Sequence, residues 1–188
     1  MKKVSFLLST VAIVFTLFAF NPPAGKLVSS KTHIKFYSHT SLEDIQANNY
    51  ASVSTIDQAT GDVVFSVPMQ SFEFEKALMQ KHFNSNKFLD TKQFPKAKLK
   101  GKITNLEDIN FSKDGTYNAI VEGELTIKGK TNPVKEKGTI TVKGNVISAT
   151  STFNITLADY GVAFEKGKPS TNIAKTVEVT VHAEYKPE

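Results

Sequence analysis

Apolar and polar residues alternate along most of this chain, and that period-two pattern leaves few folds open. Tyr117, Ala119, Val121, Gly123, Leu125 and Ile127 fall on one face of an extended segment, with Asn118, Glu122, Glu124, Thr126 and Lys128 on the other. Val177, Val179, Val181, Ala183 and Tyr185 repeat the pattern against Thr176, Glu178, Thr180, His182 and Glu184. Ile147, Ala149, Ser151, Phe153, Ile155 and Leu157 follow it more loosely. Strands with one dry and one wet face mark antiparallel sheet, because parallel strands are buried on both faces. Turn residues punctuate the pattern at Asp57 to Asp62, at Lys113-Asp114-Gly115 and at Lys143-Gly144-Asn145, and each is a hairpin candidate. Segments near 26–40, 45–57, 62–70, 96–106, 116–128, 133–142, 146–157 and 172–186 read as strands. They predict a mainly β protein, a single antiparallel eight-stranded barrel whose interior holds side chains or one slender ligand.

One stretch breaks the alternation. From Glu75 to Leu89, Ala77, Leu78, Met79, Phe83, Phe88 and Leu89 recur at roughly helical spacing, ahead of Phe94-Pro95. The spacing predicts a short helical cover between strands. Phe72 and Phe74 precede it in alternation with Ser71, Glu73 and Glu75, so several phenylalanines and a methionine converge on one end of the barrel. Residue types leave two readings open there, a plug of ordinary core or the mouth of a ligand site.

The N-terminus reads as an export signal over residues 1–24. Met1, Lys2 and Lys3 are followed by a mostly apolar run from Val4 to Phe20 that stops at Asn21-Pro22-Pro23. That run lies at the short limit for a membrane span, and its flanks are those of a cleaved leader. Cleavage is expected between Ala19 and Gly25, which places the mature chain in the periplasm or outside the cell with no lasting membrane insertion. The remaining roughly 165 residues, 25–188, suffice for one domain with a real core.

Zero cysteines exclude disulfides, cysteine nucleophiles and thiolate metal sites. The formal charge of +5 includes Lys2 and Lys3, so the remainder carries +3, and arginine is absent. Dispersed lysines beside Glu and Thr without bidentate arginine argue against a nucleic-acid partner. His33 and His39 share a strand face but stand six residues apart, too far to chelate one metal, while His82 lies on the helix and His182 on the last strand. No Gly-x-Ser-x-Gly elbow and no Walker or Rossmann glycine pattern occurs, and Glu43-Asp44 and Glu122/Glu124 sit in a loop or on a polar strand face. No enzyme and no cofactor is expected.

Four stretches carry a family resemblance. SSKTHIKFYSHTS is an apolar opening strand ending in a histidine, His39. FEFEKALMQKHFNSNKFLDTKQFPKAKLKGKI runs from a Phe strand through a Met and His-Phe helix to a Phe-Leu pair and Phe-Pro-x-Ala. GELTIKGKTNPV, Gly123 to Val134, is a Gly-x-Leu-Thr-Ile-x-Gly-x-Thr-x-Pro-Val hairpin, and LADYGV, Leu157 to Val162, is a late Asp-aromatic-Gly turn. In these the chain resembles the YceI-like family of exported, lipocalin-like, polyisoprenoid-binding-protein-like barrels, over essentially the whole mature part. The resemblance implies a barrel enclosing an amphiphilic chain such as an isoprenoid quinone or a fatty-acid-like lipid, although the family also holds members without a demonstrated ligand. One stretch departs from the pattern: where many members place Val-x-Gly-x-Phe, this chain has Ile45-Gln46-Ala47-Asn48-Asn49-Tyr50, which bears on pocket depth and ligand length.

An apolar lining for such a ligand is expected from Phe36, Phe65, Phe72 and Phe74 on the early strands. Leu78, Met79 and Phe83 would add to it from the helix, and Leu125, Ile127, Phe153 and Val179 from later strands. Each CH₂ moved from water into such a tunnel contributes about 0.8 kcal/mol before ordering costs, so no charged anchor is needed. Two classes of function follow. One is a carrier of a long apolar chain, a polyisoprenoid or other lipid. The other is a ligand-free, stress-associated or interaction barrel with a packed interior; the oligomeric state, a dimer included, is left open.

Overall fold

The computed structural model describes residues 25–162, 164–165, 168–169 and 173–187; the leader read over 1–24 lies outside them. The strands are β1 (Lys26–His39), β2 (Asp44–Asn49), β3 (Val53–Asp57), β4 (Asp62–Pro68), β5 (Phe72–Phe74), β6 (Lys96–Ile103), β7 (Gly115–Ile127), β8 (Lys130–Lys143), β9 (Val146–Thr156), β10 (Phe164–Glu165), β11 (Lys168–Pro169) and β12 (Thr176–Pro187). One helix, α1, spans Ala77–Asn84. Every pairing is antiparallel, and β1, β12, β9, β8, β7, β6, β4 and β3 close into an eight-stranded ring when β3 meets β1. β10 and β11 pair only with each other.

The strand expected over 45–57 is interrupted. β2 and β3 keep one register against β1, Ile34 opposite Asn49 and Lys26 opposite Asp57, but pairing lapses between them. Asn49 occupies the break with no exposed surface. Its Nδ2 donates to the Pro68 carbonyl at 2.8 Å, and its Oδ1 accepts from the Ala51 N–H at 3.0 Å and from the Ser52 hydroxyl at 2.8 Å. A buried amide partnered at both its oxygen and its nitrogen thereby fixes a bend that no apolar side chain would specify. The β4 strand bends in step through a 3₁₀ turn at Met69–Ser71, and β5 continues along β2.

Beyond that bend β5 pairs with β2, and α1 packs on β5. The helix is shorter than the predicted 75–89. The Ser85 hydroxyl caps the His82 carbonyl at 2.7 Å, and the chain then reverses through Asp90 at φ 48. Asn and Ser compete for backbone hydrogen bonds and favour such an exit.

The interior forms two apolar clusters. The lower one centres on Leu27, Ile56, Ile103, Ile140, Ala183 and Tyr185. The upper one centres on Ile34, Phe72, Phe83, Leu89, Tyr160 and Val179. Hairpins turn through residues 58–61, between Asp57 and Asp62, and through Gly144-Asn145, in agreement with the turn residues. Lys113-Asp114-Gly115 is no tight hairpin. It ends a longer β6–β7 connection that packs Leu106, Ile109 and Phe111 against the lower cluster and closes that end of the barrel. Asn105 holds the connection in place, accepting from the Ile120 N–H at 2.8 Å and donating to the Asn118 carbonyl at 3.0 Å.

Candidate ligand-binding cavity

Phe83 organises the covered end. Its ring stacks on Phe36 at 5.7 Å between centroids and meets Phe72 at 5.4 Å, Phe74 at 5.0 Å and Phe88 at 6.1 Å. Alternation delivers Phe72 and Phe74 to one face of β5, and the helix brings Phe83 down onto them. The expected convergence of phenylalanines is therefore present, yet it does not fill the barrel.

Beneath and beside these rings runs a cavity of about 720 Å³. Its lining runs from Glu43, Met79, His82, Ser85 and Lys87 at the covered end to Ile56, Ile103, Ile140 and Tyr185 in the lower cluster. Phe36, Phe65, Phe72, Phe74, Met79, Phe83, Leu125, Ile127, Phe153 and Val179 all line it, as expected. Leu78 does not. It stands 63% exposed on the outer side of α1, a correction with a plain cause. On a helix of two turns Met79 and Phe83 share the inward stripe at i and i+4, and their neighbour is rotated away by about 100°.

Several lining residues lie outside the expected set. Ile45 faces in from the stretch that departs from the family pattern, and Ala47 beside it is fully buried. Tyr160 comes from the 3₁₀ turn Leu157–Tyr160. Glu136 belongs to the inward register of β8 with Val134, Gly138, Ile140 and Val142, an alternation that was available but was masked by the polar residue itself.

Charge collects at the rim, where Lys76 Nζ approaches Glu43 Oε1 at 3.4 Å and ties the helix start to the loop after β1. Within the wall, burial pushes the Glu136 carboxyl above its ordinary range. Burial likewise raises the Tyr160 hydroxyl, with neighbouring Asp159 and Glu136 adding to the effect and a hydrogen bond from Asn132 opposing it. Of the histidines only His82 lines the cavity among the described residues. His33 and His182 face one another across β1 and β12, with His33 hydrogen-bonded to Asn48 at 2.9 Å and stacked on Tyr50. His39 contacts Asp44 at 2.6 Å and, with Tyr37, holds that carboxylate below its ordinary range. Among the described residues no group of three or more His, Asp or Glu is placed to hold a metal, and no helix is long and apolar enough to cross a membrane.

Residues 26–185, which build this barrel, cavity and cover, match the family model of the YceI-like domain. The chain belongs to the YceI-like family. Its fold is shared with Burkholderia cenocepacia BcnA, at TM-score 0.67 and 18% identity, covering 81% of this chain and 95% of that one. A polyisoprenoid-binding domain from Saccharophagus degradans, implicated in plant cell wall breakdown, superposes at TM-score 0.72 and 13% identity, covering 88% and 99%. The Campylobacter jejuni YceI protein does so at 0.57 and 12%, covering 100% and 94%. No curated protein sequence matches the chain. The YceI-like stretches read from the sequence fall on β1, on α1 through β6, on the β7–β8 hairpin and on the turn at Leu157–Tyr160. In that hairpin Lys128 and Gly129 both take positive φ, 49° and 73°, the requirement of a two-residue type I′ turn.

Proposed function

We propose that this is an exported lipid-binding protein that holds a long apolar or amphiphilic chain, of the polyisoprenoid, isoprenoid quinone or fatty-acid-like class, inside its barrel. The observation that carries the reading is the cavity of about 720 Å³ that is lined by residues of both apolar clusters and of α1. Its size is that of a ligand site rather than a packing defect. The polyisoprenoid-binding domain from Saccharophagus degradans, with the same fold, supports the ligand class. The same cavity weighs against a filled, ligand-free interior. The role is binding rather than catalysis, since the lining is apolar with isolated polar groups.

Extraction with organic solvent of protein purified without detergent from its natural host tests the ligand. A stoichiometric long-chain lipid is expected, and its absence there overturns the reading. Export rests on the Lys2-Lys3 start and the apolar run to Phe20. N-terminal sequencing of the same material should begin after residue 19; an intact Met1 in the membrane fraction would contradict it.

A further inference from the structure

Among the described residues the β8–β9 ladder covers only part of β8. β7 and β8 pair along their whole length, from Gly115 opposite Val142 to Ile127 opposite Lys130. β8 and β9 pair only from Lys143 opposite Val146 to Gly138 opposite Ser151. Among the described residues, the second edge of β8 from Lys130 to Lys137 has no strand partner, and Pro133, which has no N–H to give a ladder, sits in that stretch. The Ser151 hydroxyl donates to the Lys137 carbonyl at 2.7 Å where the strands part. The 3₁₀ turn Leu157–Tyr160 packs over the fork, held by Asn132 Nδ2 donating to the Asp159 carbonyl at 3.1 Å and Lys128 Nζ to the Gly161 carbonyl at 3.1 Å.

A side pocket of about 210 Å³ lies in this slit. It shares Leu125, Val134, Glu136, Phe153, Ile155 and Tyr160 with the main cavity, so the two meet at the wall. The main cavity is mostly apolar, with Lys137 next to Glu136 in its lining, whereas the side pocket adds Asn132, Lys135, Asn154, Thr156 and Asp159, and Lys135 is held outward by its ion pair with Glu122 at 2.6 Å. Glu136 stands at the junction. Among the described residues its carboxylate has no hydrogen bond or ion pair, and Asn132 and Tyr160 line the same pocket. A partly buried carboxylate without a partner at the edge of an apolar chamber adds nothing to packing, and it is explained by a ligand group that pairs with it.

We propose that the slit between β8 and β9 seats the polar end of the bound chain, Glu136 hydrogen-bonding an uncharged end group of the alcohol class and turning away a carboxylate. The inference rests on the lipid-carriage reading above and narrows its ligand class. A hydroxyl can donate to Glu136 and accept from the amide side of the pocket, whereas a second anion beside a partly desolvated carboxylate is repelled. Partial burial pushes the Glu136 carboxyl up, while the neighbouring Lys135 is engaged by Glu122.

The test uses the full mature chain and two probes of equal chain length, hexadecanol and palmitate, competing with a fluorescent long-chain alcohol. Glu136→Gln keeps the shape and removes the charge, so the alcohol-to-acid affinity ratio should fall about tenfold relative to wild type, the effect of one charged contact. Glu136→Leu should weaken hexadecanol binding. A ratio unchanged in Glu136→Gln overturns the proposal while leaving lipid carriage intact. If wild type binds neither probe, the carriage reading itself fails and the slit assignment falls with it. Because the readout is a ratio between two ligands, a general loss of folding cannot imitate the expected result.

Discussion

The hydroxyl of Tyr185 lies 2.8 Å from that of Ser54, joining residues 131 apart in sequence in the fully buried lower end of the barrel. β3 and β12 flank β1 on opposite sides, so this bond spans the seam where the first and last strands close the ring. Tyr185→Phe leaves the Ser54 hydroxyl without its partner and is expected to cost about 1–3 kcal/mol. Ser54→Ala should cost a similar amount, and the double variant clearly less than both together. Denaturant unfolding of the four proteins measures the coupling, and strict additivity would show that the bond contributes nothing.

Alkaline pH should weaken the same seam. Burial pushes the Tyr185 hydroxyl from 10.0 up to about 12, the hydrogen bond to Ser54 partly opposing it. The folded state therefore holds its proton more tightly than the unfolded chain. The stability that results is fully present below the unfolded value of 10.0 and is lost as pH rises toward about 12. Thermal midpoints recorded across that window should fall more steeply for wild type than for Tyr185→Phe.

Gly123 permits a close strand crossing. A Cβ there would stand about 2.2 Å from the Lys100 carbonyl oxygen and 2.4 Å from the Gly101 Cα, both backbone atoms that cannot swing aside. Gly123→Ala should destabilise by about 2 kcal/mol or more, as overpacked cores do. Gly144→Ala meets nothing within 4 Å and carries only the strain of φ +56, so its loss should be the smaller. Equal losses in calorimetry would contradict the crossing.

Phe83 and Leu78 lie on one short helix with opposite roles. Phe83→Ala removes the ring shared by Phe36, Phe72, Phe74 and Phe88 and should cost about 3–5 kcal/mol at most. Leu78→Lys should change stability by less than about 0.5 kcal/mol, since the side chain already faces water. Phe83→Lys should also strip bound lipid, because a charge would enter the apolar rim. Lipid retained equally by Phe83→Lys and Leu78→Lys would remove α1 from the binding site.

Most of the barrel was readable from period-two alternation because each stave buries one face. The alternations beginning at Tyr117, Ile147 and Val177 place β7, β9 and β12, and even the broken 45–57 segment keeps a single register. Asn49 was not readable as a bend, since its role depends on the carbonyl of Pro68 from another strand. Ile109 and Phe111 gave no sign of plugging the lower end, because a loop has no period to read. Leu78 failed because a helix of two turns offers too few residues to fix a phase. Glu136 was hidden for the opposite reason: its position in the alternation pointed inward, and its charge argued for solvent.

The most direct measurement is native mass spectrometry of the mature chain purified from its natural host without detergent. The account predicts a main species heavier than the polypeptide by one long-chain molecule, released by gentle collisional activation. It also predicts that the added mass is much reduced in Phe83→Lys and retained in Leu78→Lys. A wild-type spectrum showing only the bare polypeptide would contradict it, leaving the cavity of about 720 Å³ without the lipid that the account assigns to it.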